Sequence, residues 1–175
     1  FPGIAAYLAE AKLGSKYALI TDSNVLPLHG FDLERALHQE NLVVNEFVLP
    51  AGEANKRIEE CIRVTDEMAR EGFGRDSAII ALGGGMVGDM AGFIAAIYNR
   101  GIPFIQVPTT VLAQADAAVG GKTGVDTNYG KNLLGAFKQP TRVYVDVTTL
   151  QTLDEVEYRN GLAETIKHGV IADKG

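Results

Sequence analysis

The chain has 175 residues, 46% hydrophobic and 22% charged, a globular composition with room for one α/β domain and the start of a second. A net charge of −6 argues against a nucleic-acid-binding surface. No apolar run reaches the roughly 18 residues of a membrane span, and no signal peptide is visible. The single cysteine, Cys61, builds no disulfide framework, so a reducing, cytoplasmic compartment is expected and a packed thiol is its simplest role. The chain begins at Phe1 and stops at Gly175, and both ends read as cuts.

No internal repeat or low-complexity segment interrupts an alternation of strand-like and helix-like stretches. YALIT (17–21) reads as a buried strand followed by the turn formers Asp22-Ser23-Asn24. Residues 31–40 carry a short amphipathic helix, with His29 and His38 expected at the surface. Val43 to Leu49 is a second strand, ended by Pro50. Over 54–71, Ile58, Ile62, Thr65 and Met68 with Ala69 have the spacing of one apolar helical stripe. SAIIAL (77–82) is a third strand, and glycines follow at once. MVGDMAGFIAAIY (86–98) is nearly all apolar and predicts a buried helix. PFIQV (103–107) and RVYVDV (142–147) are the fourth and fifth strands. Between them, 119–135 has the Gly, Lys, Asn and Thr chemistry of a hairpin or ordered loop. From about Asp154 the pattern is helical, with Val156, Leu162, Ile166 and Val170 apolar. Apolar strands separated by helices indicate an α/β fold, a Rossmann-like parallel sheet covered by helices. The expected division is an α/β domain over 1–153 and, over 154–175, the first helix of an α-helical domain.

The sharpest local motif is GGGMVGD (83–89), in which Gly83, Gly85 and Gly88 satisfy G-x-G-x-x-G between a strand and a helix. Such glycines let the backbone approach a diphosphate, and the helix start offers unpaired amides to it. An ordinary dinucleotide fold puts this turn after its first strand, with the acidic ribose partner about 20 residues later. Here the turn follows the third strand and the acidic residue, Asp22, precedes it, so the site is assembled in another order.

Residues 108–137 set Thr109, Thr110, Gln114, Asp116, Lys122, Lys131 and Asn132 among glycines and small apolar residues. Two lysines and an asparagine suit an anionic, hydroxylated ligand. Asp116, embedded among alanines, is costly to bury without partners. In NGLAETIKHG (160–169), Glu164 shares a helical face with Lys167 and His168. Such pairs are usually solvated, and two ligands fall short of the three that a catalytic zinc takes from protein. Spacing alone therefore identifies no metal site.

Together, GGGMVGDMAGFIAAIYNRG, PFIQVPTTVLAQADAAVGGKTGV, GKNLLGAFKQP and GLAETIKHG resemble, in order and spacing, the 3-dehydroquinate synthases. The resemblance implies an amino-terminal NAD-binding α/β domain and a carboxyl-terminal helical domain with the active site between them. It also implies roles for individual residues. Asp22, Asn24, Glu53 and Lys56 would contact the adenosine part of NAD, Gly84 and Gly85 the diphosphate, and Asp89 a ribose. Thr109, Thr110 and Leu112 match further NAD contacts. Asp116, Lys122, Lys131, Asn132 and Lys167 match substrate-binding positions, and Arg100 an arginine that reaches the neighbouring subunit's substrate in a homodimer. Glu164 matches the first ligand of a catalytic Zn2+ (or Co2+), whereas His168 matches none. The family's two zinc histidines correspond to positions beyond Gly175. Ala117 and Ala118 stand where serines are common, and Lys138 replaces a frequent aromatic.

The implied substrate is a small sugar phosphate, 3-deoxy-arabino-heptulosonate 7-phosphate, and the products are 3-dehydroquinate and phosphate. NAD would oxidise a hydroxyl transiently, acidifying the neighbouring hydrogen so that phosphate can leave. Reduction, ring opening and an intramolecular aldol step would follow. The alternatives are another sugar-phosphate cyclase, of valiolone or deoxyinosose type, a metal-dependent polyol dehydrogenase, or a nucleotide-binding module without catalysis. The Asp116, Lys122, Lys131 and Asn132 set argues against the last, because NAD alone would not need it.

Overall fold

The computed structural model describes residues 1–172, so residues 173–175 of the expected terminal segment lie outside the described residues. Five parallel strands form the main sheet: β1 (Lys16–Asp22), β2 (Val44–Leu49), β3 (Ser77–Gly83), β4 (Phe104–Pro108) and a short β7 (Arg142–Val143), in the order β2-β1-β3-β4-β7. β5 (Lys122–Thr127) and β6 (Gly130–Phe137) form a separate antiparallel hairpin. The helices are α1 (Pro2–Ala11), α2 (Phe31–Gln39), α3 (Ile58–Arg70), α4 (Gly85–Ile97) and α5 (Glu155–Ala172).

Side chains alternate across a strand, and the two cores follow that period. Ala18, Ile20, Ile79, Ala81 and Phe104 face one side and pack with Cys61, Val64 and Met68 of α3 and Met90, Ala91 and Ile94 of α4. Tyr17, Leu19, Ala78, Ile80, Ile105 and Val107 face the other and pack with Ile4 and Leu8 of α1 and Leu33 and Leu37 of α2. The expected sheet covered on both faces is therefore present. Val125 joins the first core and fastens the hairpin to it.

Three details depart from the sequence reading. The buried stripe of α3 is Cys61, Val64 and Met68, while Ile62 is 52% exposed. Met68 and Ile58 of the expected stripe do pack on the core, and the difference is a rotation of the stripe that exchanges Ile62 for Cys61 and Val64. Second, the fifth strand pairs only at Arg142 and Val143. Asp146 then accepts from the amide of Thr148 at 3.0 Å and starts a 3-10 turn over Val147–Thr152, so a side-chain turn replaces the ladder. Third, α1 was not read from the sequence. It starts with Pro2 in its first turn and buries Ile4, Ala5 and Leu8, a short stripe without an acidic or capping start signal. The Cys61 thiol is buried, and burial pushes its pKa up to about 12, so it is a packing group.

Candidate active site

The strand order reverses between β1 and β3, which lie side by side with β2 beyond one and β4 beyond the other. In open parallel sheets, ligands sit at such a switch point, outside the carboxyl ends of the strands. Asp22 ends β1 and Gly83 ends β3, so adjacency in space reunites an acidic residue and a glycine turn that the sequence holds far apart. The Asp22 Oδ1 accepts the amides of Asn24 at 2.8 Å and Val25 at 2.9 Å, which fixes the loop leaving β1. A Cβ on Gly83 would meet Val87 at 2.6 Å, and one on Gly88 would meet Gln106 Oε1 at 2.8 Å. Packing against the branched Val87 requires Gly83, whereas a side chain at Gly88 would have to move the end of Gln106. Gly84 and Gly85 bring the start of α4, with amides that lack intrahelical acceptors, towards Thr110 and Ala117.

Beyond this turn, residues 113–117 form a single π-helical turn. Thr110 Oγ1 accepts the Ala113 amide at 3.1 Å, and Thr109 is buried. Gln114 does not face the ligand side. Its Nε2 donates towards Pro108 O, Asp146 O and Thr149 Oγ1 at 3.1 to 3.2 Å, pinning the turn to the segment that precedes α5. Asp116, in the same turn, is left directed into a cavity of about 520 Å³.

Asp89, Lys122 and Asn132 line that cavity with Asp116, and Val119, Leu133 and Phe137 supply apolar wall. Behind it lies Lys56, only 4% exposed. Its Nζ donates to Asp89 Oδ2 and to Asn132 Oδ1, each at 2.6 Å. Burial pushes the Asp89 carboxyl above its ordinary range, and the Lys56 ammonium opposes this without cancelling it.

On the opposite side, α5 crosses the chain at Gly161, where a Cβ would lie 2.5 Å from Val111 Cβ and 2.6 Å from Leu112 N. That close crossing brings the polar face of α5 to Asp116. Lys167 Nζ is 3.7 Å from Asp116 Oδ1 and is also paired with Glu164, contacts that hold its ammonium above the usual lysine range, Glu164 first. His168 Nε2 lies 3.1 Å from Asp116 Oδ1. One ligand atom each from Asp116, Glu164 and His168 falls within 4.8 Å of the others. Two carboxylates and an imidazole are suitable donors for a divalent cation. A cation there would displace the Lys167 ammonium from Glu164.

The structure thus gathers Asp89, Asp116, Lys122 and Asn132 around one cavity, with Lys56 behind and Glu164 and Lys167 beside it. Asp22, Gly84, Gly85, Thr109 and Thr110 stand along the ends of β1, β3 and β4, where Leu112 and Asn24 are exposed. Glu53 and Lys131 form an exposed pair at 3.2 Å outside the cavity lining. Arg100 stands apart on an exposed turn, in left-handed backbone at φ 67°. Sequence reasoning missed the contact of His168 with Asp116, because the two are far apart in the chain and only the crossing at Gly161 brings them together.

Residues 46–160 match the family described as 3-dehydroquinate synthase N-terminal. The chain is 51% identical over 170 residues to the 3-dehydroquinate synthase of Desulforamulus reducens, covering 97% of this chain and 47% of the relative. Thus it spans about half the length of that curated relative. A 2-epi-5-epi-valiolone synthase from Streptomyces hygroscopicus subsp. jinggangensis, solved with NAD+ and Zn2+ bound, superposes with a TM-score of 0.85 at 34% identity, covering 95% of this chain and 47% of that one. A 2-deoxy-scyllo-inosose synthase complexed with carbaglucose-6-phosphate, NAD+ and Co2+ gives a TM-score of 0.88 at 28% identity, covering 95% and 46%. With the glycine turn, the polar cavity and α5 in the same chain, the match over residues 46–160 places this protein in the 3-dehydroquinate synthase family.

Proposed function

We propose that this chain is the NAD-binding half of a 3-dehydroquinate synthase, acting on 3-deoxy-arabino-heptulosonate 7-phosphate to give 3-dehydroquinate and phosphate. The observation that carries the reading is the cavity in which Asp89, Asp116, Lys122 and Asn132 meet next to the glycine turn. A dinucleotide alone would not require Lys122 and Asn132 beside Asp116. When bound, NAD supplies reversible hydride transfer and a divalent cation supplies Lewis acidity. Asp22, nearly buried at the switch point, accepts from ribose hydroxyls and repels a 2′-phosphate, so NAD is preferred to NADP. Lys122 and Asn132 donate to the anionic substrate and hold its phosphate for elimination, a positional contribution. Glu164 is the residue of this chain that holds the cation, and Lys167 and Asp116 orient the substrate beside it. Further metal ligands and substrate contacts come from the part of the family fold beyond these 175 residues. The isolated chain is accordingly expected to bind NAD and to release no phosphate from substrate. A homodimer, in which Arg100 reaches the partner's substrate, and a cytoplasmic location belong to the same proposal. Arg100 is exposed, as the dimer reading requires, and among the described residues no helix is long and apolar enough to cross a membrane.

Thermal unfolding with each dinucleotide tests the reading. NAD at about 100 times its dissociation constant stabilises a single-site protein by ~2.7 kcal/mol, and NADP at the same concentration is expected to do much less. An equal shift with NADP would remove Asp22 from the ribose. Chelator-sensitive phosphate release by the chain alone would overturn the location of the metal site.

A further inference from the structure

Lys56 is the most buried charged side chain of the site, at 4% exposure, and the reaction gives it no step. Its neighbours define what it does. The ammonium donates to Asp89 Oδ2 and to Asn132 Oδ1 at 2.6 Å each, so one group joins α4 to strand β6 of the hairpin. The backbone repeats the connection. Asp126 N donates to Lys56 O at 2.8 Å, and Asp126 Oδ1 accepts the amide of Asn132 at 2.7 Å. This closed ring holds Asn132 in left-handed backbone at φ 54°, a conformation that a non-glycine residue adopts only when its surroundings require it.

Chemistry then fixes the polarity of the Asn132 amide. An ammonium donates and never accepts, whereas a carboxamide has one accepting and one donating end. Lys56 must therefore take the oxygen, and the NH2 is left to face the cavity that Asn132 shares with Lys122. Without the lysine, the amide could turn over and offer its oxygen instead. The same ammonium occupies one oxygen of Asp89 and leaves the other for a ligand hydroxyl. We infer that Lys56 is a positioning residue that fixes Asn132 as a donor to an oxyanion and locks it to the cofactor-side carboxylate of Asp89 as one unit. The inference rests on the reading of the cavity as a site shared by a dinucleotide and an oxyanion-bearing substrate. It adds a device by which the two halves of the site are set together before either ligand arrives.

The test uses the 15N-labelled chain without ligand and then titrated separately with inorganic phosphate and with acetate. In the wild type the side-chain NH2 signals of Asn132 are expected to shift with the preferred oxyanion. The stronger response to phosphate or to acetate then says whether the donor serves a phosphoryl or a carboxylate group. In Lys56→Met the Asn132 signals should move in the ligand-free chain, and affinity for that oxyanion should fall at least about tenfold, the scale of one hydrogen bond to a charged group. Asn132 signals and oxyanion affinity that match the wild type would overturn the inference, as would a wild-type Asn132 indifferent to both anions. Because Lys56→Met leaves the buried Asp89 without its partner and can unfold the chain, a second variant reads the contact from the other end. Asn132→Ala alters an exposed position of β6, and it should accelerate hydrogen exchange of the Lys56 ammonium by about tenfold, again the scale of one such bond. An unchanged rate overturns the tie. Failure of the wild type to bind NAD would instead sink the functional reading, while both ligand-free measurements would still decide the role of Lys56.

Discussion

β3 and α5 lie at opposite extremes of the same chain. All seven residues of β3 are buried, whereas α5 has 18 residues and buries one, Gly161. Val156, Ile166, Val170 and Ile171 of α5 face solvent. β3 is held by neighbours on both edges and by a helical layer on each face. α5 is held by one close crossing at Val111 and Leu112 and by the Asp116 contacts of Lys167 and His168. The glycine-turn side of the cavity thus rests on a finished core. The side where Glu164 and His168 stand rests on a helix whose position depends on very few contacts, and those include the contacts of Lys167 and His168 with Asp116. Regions of this kind open locally at low cost.

The contrast predicts a steep gradient in the effects of substitution. Phe104→Ala, in the middle of the core, is expected to cost about 3–5 kcal/mol in chemical denaturation. A loss below ~1 kcal/mol, the range of surface changes, would mean the sheet core is looser than its burial indicates. Gly161→Val comes next. The added side chain meets the backbone of Leu112, which cannot rotate away, and overpacking of this kind costs about 1–3 kcal/mol. The loss should appear as faster hydrogen exchange over 155–172 while β3 keeps its protection. Unchanged exchange in α5 would show that something other than this crossing anchors it.

A smaller effect concerns pH. His29 Nε2 is 2.7 Å from Thr152 Oγ1, and burial pulls the imidazole below its ordinary value of 6.5. The folded chain therefore binds this proton less readily than the unfolded chain. The contribution of His29 is complete above 6.5 and is lost as the pH falls through the lowered folded value. His29→Gln keeps a hydrogen-bonding side chain without the titration. It should flatten this segment of the stability–pH profile, and a profile superposable on the wild type would exclude His29 as its source. At the bottom of the scale, Val170→Ser on the exposed face of α5 should change the unfolding free energy by no more than ~0.5 kcal/mol. A larger loss would reveal cover over that face in solution.

Much of the architecture was legible because continuous apolar runs and glycine punctuation are local properties of the chain. The runs YALIT, SAIIAL and PFIQV, mostly apolar, short and bounded by turn formers, read as strands covered on both faces. The apolar helix after the glycine turn had to be buried for the same reason. The charged and amide residues of 116–132 could be nominated from their setting among small residues, since isolated polar groups there need partners. Local signals could not choose which face of α3 turns inward, because Ile62 and Cys61 both fit a helical period and the sheet decided between them. The pairing of Asp22 with the glycine turn, and the approach of α5 to Asp116, were likewise settled by strand order and a single glycine crossing. The union of Lys56, Asp89 and Asn132 required three segments to converge, and no spacing in the sequence encodes that. Periodicity and composition determined the strands and the buried helix after the glycine turn, and which residues carry charge. Only the tertiary structure decided which charges meet, because contact between distant segments depends on strand order and helix placement.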